Sequence, residues 1–451
     1  MVQGELRHVV LIVGGAVSGA EAAAQFVARG VRCIVLDQNP RPYGKIEDGL
    51  PRWHVKLRES EEDKIDAKLA HPDVLFVPRT RLGQDLALEE LRTWGLSAIV
   101  LANGAWRDRP LPIPNADAYV DRGLYYQNPF VMWFNHYIEP GYDGPQCEVP
   151  DETLVVGGGL ASLDVVKILM LETAVRALAA RGIQADLYEM ERKGVKKVLG
   201  ERGLSLEALG LRGCTLIYRR RIEDMPVADP PEGATPEQEE RTRGTRRKLL
   251  NNFREKYLFR IEERLAPLAP TAEGGRLVGL RVKRTAVEDG KVKLLAGQEV
   301  ELRAALTISS IGSIPEPVLG LRMRGELYPV KDQETGELEG LPGVFAIGNA
   351  VTGKGNILVS LKHGRKVSQR MLETYLLGEG SGYEEVLAGA AAEAAGKVAA
   401  VAERVGTAPR LSPDRVAAIE EKVRALQARV GYEGDYWAWI AKVRPGRPAK
   451  R

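Results

Sequence analysis

The chain has 451 residues, of which 44% are hydrophobic and 28% charged, and a net charge of +3. These values are ordinary for a globular protein of two domains plus an appendage, and so small a charge does not indicate nucleic acid as a partner. The three cysteines, Cys33, Cys147 and Cys214, form neither a C-x-x-C pair nor a cluster with histidines, which argues against a disulfide redox centre, an iron–sulfur cluster and structural zinc.

The first predicted element is a buried strand that runs into a glycine-rich turn and a helix, residues 9–21 (VVLIVGGAVSGAE). This order is typical of a parallel strand that feeds a nucleotide-binding helix. Gly14 can make the tight turn and Gly19 lets the helix pack closely, while Ala16 takes the middle glycine position of G-x-G-x-x-G. The next strand ends in Asp37, an acid placed to accept hydrogen bonds from a ribose.

The segment that follows is less regular. Residues 39–51 are rich in Pro and Gly and predict a long loop that either wraps a flavin ring or is a surface connection. Residues 53–71 predict a helix whose charged face is solvated. A later strand ends in Asn103 and Gly104, at the strand end where ligands of open α/β sheets gather. The aromatic side chains of residues 124–137 are expected to pack between domains.

The opening pattern repeats in the middle of the chain. A strand at residues 153–156 runs into three glycines, 157–159, and a helix follows with Ser162 in the last small position. Two dinucleotide turns in one chain indicate two dinucleotides. A nicotinamide gives up a hydride, and a flavin can take two electrons and release them singly, so the pair does what neither does alone.

The strand that follows this second turn predicts which nicotinamide binds. Residues 215–218 end in three consecutive arginines, residues 219–221, and guanidinium groups there suit a 2′-phosphate. Such a residue normally follows the turn by about 20 positions, so residues 172–212 are predicted to be a mostly helical excursion. The alternative is that the arginines form an exposed basic edge.

The last third of the chain returns to the pattern of the first. Buried strands are predicted at residues 306–312 and 343–349, and a glycine-rich stretch and a helix follow the second. Residues 383–451 are rich in Ala and predict two helices, broken near Pro409 and Pro413, that pack on the body and end in a basic tail.

Taken in this order, the chain resembles the adrenodoxin reductase family of ferredoxin–NADP reductases and the related small subunits of glutamate synthase, over about residues 8–377. The resemblance rests on residues 130–135, 157–169 and 310–312, and on residues 219–226, which look more like the glutamate synthase side. It implies an α/β fold with two Rossmann-like dinucleotide-binding domains and a C-terminal helical extension. In this arrangement the FAD domain is discontinuous, and the NADP domain lies between its two parts in the chain.

The boundaries expected on this basis are 1–145 for the first part of the FAD-binding domain, 146–308 for the NADP-binding domain, 309–380 for the second part of the FAD-binding domain, and 381–451 for the helical C-terminal extension.

The resemblance also implies roles for individual residues. Asp37 would hold the FAD ribose, loop 41–51 would border the flavin, and the backbone N–H of Ile357 would lie near its pyrimidine edge. The sequence departs from the family pattern at Ala16, Asn103, Asn349 and Asn356. The residues assigned to FAD and its surroundings are Gly14, Ala16, Val17, Ser18, Gly19, Asp37, Gln38, Gly44, Lys45, Leu50, Leu82, Asn103, Gly104, Gly348, Asn349, Asn356 and Ile357. Those assigned to NADP are Gly157, Gly159, Leu160, Ala161, Arg219 and Arg220.

We therefore predict an FAD-dependent oxidoreductase that moves electrons between NADPH and a one-electron carrier such as ferredoxin, by hydride transfer to the flavin. No catalytic acid or base and no metal ligand is assigned, because hydride arrival requires neither. A cationic surface near the flavin would attract an acidic carrier, and the residues considered for it are Lys45, Arg52, Lys354 and Lys362.

Two alternatives stay open. The first is an electron-input subunit of a larger enzyme, like the glutamate synthase small subunit. The second is a flavin-binding scaffold without NADPH activity, since Asn356 stands where the nicotinamide ring should stack. The chain has no apolar run of membrane-spanning length, and its first strand follows closely on its first residue, so we expect a cytoplasmic protein without membrane contact. Self-association is left open.

Overall fold

The protein is described by a computed structural model covering residues 7–226, 233–288, 291–352 and 383–444. The predicted fold class is confirmed, because two parallel sheets flanked by helices hold most of these residues and further helices follow at the C-terminal end. Four residues named above, Lys354, Asn356, Ile357 and Lys362, lie outside the described residues. The helix predicted after them and most of the basic tail lie outside as well.

Within the described residues the strands are, in chain order, β1 (Val9–Val13), β2 (Arg32–Leu36), β3 (Val74–Val77), β4 (Ala98–Leu101), β5 (Arg107–Asp108), β6 (Leu124–Tyr126), β7 (Leu154–Gly157), β8 (Thr215–Tyr218), β9 (Arg260–Glu263), β10 (Leu265–Glu273), β11 (Arg276–Glu288), β12 (Lys291–Arg303), β13 (Thr307–Ser310), β14 (Ser313–Ile314), β15 (Val330–Asp332), β16 (Glu337–Leu338) and β17 (Val344–Ala346). The helices of the same residues are α1 (Val17–Val27), α2 (Lys45–Asp48), α3 (Val55–Leu69), α4 (Leu88–Thr93), α5 (Gln127–His136), α6 (Leu160–Ala179), α7 (Leu187–Lys193), α8 (Val195–Gly200), α9 (Pro236–Tyr257), α10 (Asn349–Thr352), α11 (Tyr383–Thr407), α12 (Pro413–Val430) and α13 (Tyr436–Val443).

The first sheet is built around β1. Strands β17, β4, β1, β2 and β3 pair in parallel in that order, and the antiparallel strands β16 and β15 extend the β17 edge. No residue of β1 is more than 6% exposed, as expected for a central parallel strand covered by helices on both faces. The chain leaves β1 toward β2 on one side, while β4 lies on the other, and ligands bind at such a switch point.

The second sheet repeats this plan around β7. Strands β6, β13, β7, β8 and β9 pair in parallel in that order. The predicted excursion between β7 and β8 is mostly helical, since it contains the end of α6 and all of α7 and α8. Strand β6 lies ahead of residue 146 and β13 crosses the predicted boundary at 308/309, yet both pair in this second sheet. The sheets therefore do not follow the predicted domain boundaries, which stay a prediction.

A short ribbon joins the two sheets. Strand β5 follows β4 of the first sheet, β14 follows β13 of the second, and the two pair antiparallel. Helix α5 packs against both α2 and α6, and its aromatic residues Phe130, Trp133 and Phe134 are buried in the core of the second sheet. The aromatic segment therefore packs between the two sheets and their helices, as expected from the sequence.

The C-terminal residues form three helices within the described range rather than the predicted two. The break between α11 and α12 lies at the two predicted prolines, but a second break separates α12 from α13. There Gly431 has a φ of +72°, a left-handed conformation that ends helices and favours glycine. Helix α11 packs along α1 and α12 packs against β3, so the extension covers the first sheet.

The prediction of a solvated charged face on α3 is wrong. Glu62 is 1% and Asp66 is 2% exposed, because the C-terminal helix covers this face and supplies partners. The carboxylate of Asp66 accepts hydrogen bonds from the hydroxyls of Tyr43, at 3.0 and 3.1 Å, and of Tyr436, at 2.8 Å. Glu62 forms an ion pair with Arg444.

This contact predicts the contribution of Tyr436 to stability. Replacing it by Phe removes one donor from a buried carboxylate, and we expect the free energy of unfolding to fall by about 1–2 kcal/mol. Urea unfolding followed by circular dichroism measures the change. Trp437→Phe is the control, because the neighbouring Trp437 is 36% exposed. Equal losses in the two variants would contradict the argument.

Candidate functional site

A cavity of about 880 Å³ lies where the carboxyl ends of the two parallel sheets face each other. Residues at or directly after the ends of β1, β2 and β4 line one side, and those of β7, β8 and β13 line the other. Both glycine-rich turns open into it. Since ligands of open α/β sheets bind outside the carboxyl ends of the strands, the two predicted dinucleotide sites share one cavity.

The structure brings most of the predicted cofactor-binding residues to this cavity. Those that line it are Gly14, Ala16, Val17, Ser18, Asp37, Gln38, Gly44, Lys45, Leu50, Leu82, Asn103, Gly104, Asn349, Gly157, Gly159, Leu160, Ala161 and Arg219. Gly19, Gly348 and Arg220 do not line it.

Gly19 and Gly348 are tightly packed at the first turn. A methyl group on Gly19 would lie 1.8 Å from the carbonyl oxygen of Gly14, and one on Gly348 would lie 2.6 Å from Oγ of Ser18. These distances leave no room for a side chain. Gly19 lets backbone segments approach, as predicted from the sequence, and Gly348 lies against the side chain of Ser18. Their contact with a cofactor stays a prediction.

Asp37 anchors the first turn and faces the cavity. Its Oδ2 accepts a hydrogen bond from the backbone N–H of Gly15 at 2.8 Å, and its Oδ1 accepts one from the N–H of Asn39 at 2.8 Å. Burial raises the pKa of Asp37 to about 6, although these two donors oppose the shift. A carboxylate with few donors is suited to accept further hydrogen bonds from ribose hydroxyls.

Asn103 offers a test of whether the residues present fit a nucleotide. Its Nδ2 donates to the hydroxyl of Tyr328 at 3.2 Å, whereas its buried Oδ1 has no hydrogen-bond donor among the described residues. A buried acceptor without a partner is costly, and this one belongs to a cavity-lining side chain. A hydroxyl or amide donor of a bound cofactor would satisfy it, so the site fits such a ligand.

The loop after β2 closes over the first turn at Gly44, where a methyl group would lie 2.8 Å from Cβ of Ala16. The sequence interpretation of Arg52 in this loop as a surface cation is wrong. The side chain is 7% exposed, its guanidinium lies 4.1 Å from the centroid of the Phe134 ring, and it is 3.5 Å from Glu172. Arg52 ties the loop to α5 and α6 and offers no charge to a docking partner.

A second tie between the same loop and α5 predicts a pH dependence. Burial disfavours the charged form of His136, but hydrogen bonds to Asp48 at 2.9 Å and Glu139 at 2.8 Å outweigh it and raise the pKa of His136 to about 9. A folded-state pKa above the unfolded value of about 6.5 stabilises the fold below pH 6.5, and this contribution is lost as pH rises through 9.

We expect this contribution to be about 1–2 kcal/mol after solvent screening. Urea unfolding at pH 6 and pH 9.5 gives the difference for the native protein and for His136→Gln, in which the loss should be smaller by that amount. His71→Gln is the control, because His71 is exposed. The same pH response in native protein and His136→Gln would refute the assignment.

The second glycine-rich turn is crowded at its first two glycines and open at the third. A methyl group on Gly157 would lie 2.5 Å from the carbonyl oxygen of Ser310, and one on Gly158 would lie 2.1 Å from the Tyr218 ring. On Gly159 it would meet nothing within 4 Å. Gly159 lies at the start of α6 and lines the cavity, where a helix N-terminus binds phosphate groups.

The three consecutive arginines separate into different environments. Arg219 lines the cavity at the end of β8. Arg221 instead pairs with Asp224 at 3.0 Å and with Glu223 at 3.5 Å. Arg220 does not line the cavity. Of the three arginines, Arg219 is the one that lines the cavity, and its contact with a ligand phosphate stays a prediction.

Sequence reasoning missed part of the lining. Trp106, Gln127 and Ser313 line the cavity, and they lie close after or beside strand ends, a signal that the strand-end rule could have used. Val386 and Leu387 of α11 line it as well. Nothing in their local pattern distinguishes them from other apolar helix residues.

Two further searches concern the described residues only. None of their helices combines the length and the apolar character that a membrane span requires. No group of three or more His, Cys, Asp or Glu side chains among them is arranged to hold a metal ion.

Comparison with known proteins finds similar sequences, although no protein-family model matches the chain. It is 24% identical over 380 residues to a mitochondrial NADPH:adrenodoxin oxidoreductase of Arabidopsis thaliana, covering 75% of this chain and 76% of that protein. It is 25% identical over 384 residues to the glutamate synthase [NADPH] small chain of Mycobacterium tuberculosis, covering 82% of this chain and 67% of that protein.

The fold agrees with these sequence relationships. The structure of Mycobacterium tuberculosis FprA in complex with NADPH superposes with a TM-score of 0.67 at 19% sequence identity, covering 94% of this chain and 91% of that one. The order of the two glycine-rich turns, the cavity they share and these similarities lead to one conclusion. The chain resembles, in sequence, the adrenodoxin reductase type of flavoprotein oxidoreductases and the related small chain of glutamate synthase, and it shares its fold with FprA.

Proposed function

We propose that this protein is an FAD-dependent oxidoreductase that takes a hydride from NADPH and passes electrons to a one-electron carrier such as ferredoxin. The observation that supports this most directly is that both glycine-rich turns open into one cavity. Two dinucleotides bound at separate turns would there bring their reactive rings together. When bound, the flavin supplies the hydride acceptor and the ability to release electrons singly.

The residues of the first turn would hold FAD. The N-terminus of α1 presents backbone N–H groups to a pyrophosphate, and Asp37 accepts from the ribose. The unsatisfied Oδ1 of Asn103 is available to a cofactor donor. The loop that closes at Gly44 would position the flavin ring and exclude water from it. Orienting the cofactor and keeping water out are what the protein contributes to the reaction.

The second turn would hold NADPH. Gly159 leaves room at the N-terminus of α6 for the pyrophosphate, and Arg219 would make charge-assisted hydrogen bonds to the 2′-phosphate. The names of the Arabidopsis relative and of the M. tuberculosis glutamate synthase chain include NADPH, and FprA has been solved with NADPH. We carry this ligand to the present chain by analogy.

A second candidate is an electron-input subunit of a larger enzyme. It is favoured by the similarity to the glutamate synthase small chain, which covers more of this chain than the similarity to the adrenodoxin oxidoreductase. The two candidates predict different associations. A subunit forms a stable complex, whereas a carrier such as ferredoxin binds weakly and in a salt-sensitive way.

The proposal is tested by titrating the purified, flavin-loaded protein anaerobically with NADPH and then with NADH, and following flavin absorbance by stopped flow. We expect rapid bleaching with NADPH and slow bleaching with NADH. Equal rates of flavin reduction with NADPH and NADH would contradict the assignment of Arg219 to the 2′-phosphate. No bleaching with either donor would favour a flavin scaffold or reduction from a partner, and would overturn the proposed function.

A further inference from the structure

Lys45 places a positive charge at the junction of the two sheets. It lies in α2, in the loop over the first turn, and lines the cavity. Its Nζ donates to Oδ1 of Asn128 at 3.2 Å and to Oγ of Ser313 at 3.1 Å, and lies 5.7 Å from the centroid of the Trp106 ring. Asn128 belongs to α5 and Ser313 to β14, so two segments far apart in the chain hold this ammonium group.

The ammonium of Lys45 is incompletely compensated. Both of its hydrogen-bond acceptors are neutral, and no carboxylate among the described residues comes within ion-pair distance of it. Asp108 acts from further away and accepts hydrogen bonds from the backbone N–H of Asn128 at 3.2 and 3.3 Å. The neighbouring Arg109 is turned to Glu326, with which it pairs at 2.7 Å.

Burial lowers the pKa of Lys45 to about 8, and the negative charge of Asp108 opposes this shift. The ammonium form supplies the two hydrogen bonds that Nζ donates. A cation surrounded by neutral groups in a space of low dielectric interacts strongly with any negative charge that develops nearby. The cavity beside it is where the reactive rings would meet.

We propose that Lys45 supplies the positive charge that stabilises FAD once it has accepted a hydride, and so sets the electron affinity of the site. The inference rests on the proposed function. A hydride carries one proton and two electrons, so its transfer leaves the nicotinamide oxidised and adds one negative charge to the flavin. Lys45 stabilises that charge without giving up its own proton, and no further reactant is required.

Lys45→Met removes the charge and keeps the length of the side chain. In the variant, Oγ of Ser313 keeps the hydrogen bond that Nδ2 of Asn128 donates at 3.1 Å, whereas Oδ1 of Asn128 loses the donor that Lys45 supplied. We expect reduced FAD to bind about tenfold more weakly relative to oxidised FAD, which lowers the two-electron midpoint potential by about 30 mV. Lys45→Arg should keep the native potential.

Two further variants make the test specific. Asp108→Asn removes the opposing negative charge and should raise the midpoint potential. Lys64→Met is the matched control, because Lys64 is exposed on α3 and pairs with Glu61, and its potential should equal the native one. Midpoint potentials are measured by spectroelectrochemistry at pH 7, and the dissociation constant of oxidised FAD by titration of the apoprotein.

A native potential in Lys45→Met that has bound flavin would overturn this inference and leave the proposed function standing. Shifts of the same sign in Lys45→Met and Asp108→Asn would overturn it as well. A wild-type protein that binds no flavin would overturn the proposed function, and the inference with it. If Lys45→Met proves too unstable to load with flavin, a native potential in Asp108→Asn decides against the inference.

Discussion

Replacing Arg219 by Gln is expected to raise the NADPH concentration for half-maximal flavin reduction about 100-fold and to leave the value for NADH unchanged. A guanidinium that makes paired, charge-assisted hydrogen bonds to a phosphate contributes about 2–3 kcal/mol, and each 1.4 kcal/mol is about tenfold in affinity. NADH lacks the 2′-phosphate, so its binding does not depend on this contact. Anaerobic stopped-flow reduction of the flavin at varied nucleotide concentration measures both values.

Arg221→Gln is the matched control for this variant, since the two arginines lie two positions apart on the same segment. Arg221 is already paired with Asp224 and Glu223, so its removal should change neither value by more than about twofold. A loss of NADPH preference in Arg221→Gln, or its survival in Arg219→Gln, would show that the phosphate contact lies elsewhere.

The sequence predicted the parts of the site that depend on local pattern. An apolar run followed by a glycine-rich turn is typical of a central parallel strand that feeds a helix, and β1 and β7 are both central strands of their sheets. Because the pattern occurs twice, the carboxyl ends of both sheets were predicted as binding edges. The cavity that contains Gly14 and Gly159 lies at those edges.

The sequence did not predict burial that depends on distant chain segments. Glu62 and Asp66 of α3 were expected to be solvated because the local sequence does not show which distant segment covers them. Their partners come from the C-terminal helix, as in the contact between Asp66 and Tyr436. Arg52 was misinterpreted for the same reason, since Glu172, a buried partner, lies 120 positions further along the chain.

The three arginines after β8 show a second limit of prediction from the sequence. Three identical neighbours carry no local signal that separates them, yet the structure places Arg219 and Arg221 in different environments. Arg219 faces the cavity, whereas Arg221 meets the acids of the following turn. The predicted phosphate contact therefore narrows to Arg219, because it is the residue of this motif that lines the cavity.

Asp37→Asn is expected to weaken FAD binding to the apoprotein about 30-fold at pH 7.5. Hydrogen bonds to a charged acceptor contribute about 1.5–3 kcal/mol, and the amide oxygen offers fewer acceptor positions than the carboxylate. The backbone N–H groups of Gly15 and Asn39 already occupy one position on each carboxylate oxygen. Fluorescence quenching of FAD on titration with apoprotein gives the dissociation constant.

The same residue predicts how FAD affinity depends on pH. Ribose hydroxyls donate to the carboxylate, so FAD binds the ionised form of Asp37, whereas burial raises its pKa to about 6 in the free protein. Protonation then competes with binding, and affinity should fall by up to about tenfold per pH unit below pH 6. In Asp37→Asn the affinity should be independent of pH over this range.

Glu47 provides the control that assigns this pH dependence to Asp37. Burial raises the pKa of Glu47 to about 7, so it titrates in nearly the same range, but it pairs with Arg41 at 2.6 Å and does not line the cavity. Glu47→Gln should therefore keep the fall in FAD affinity below pH 6. If Glu47→Gln removes the pH dependence and Asp37→Asn preserves it, the ribose contact must be assigned to another residue.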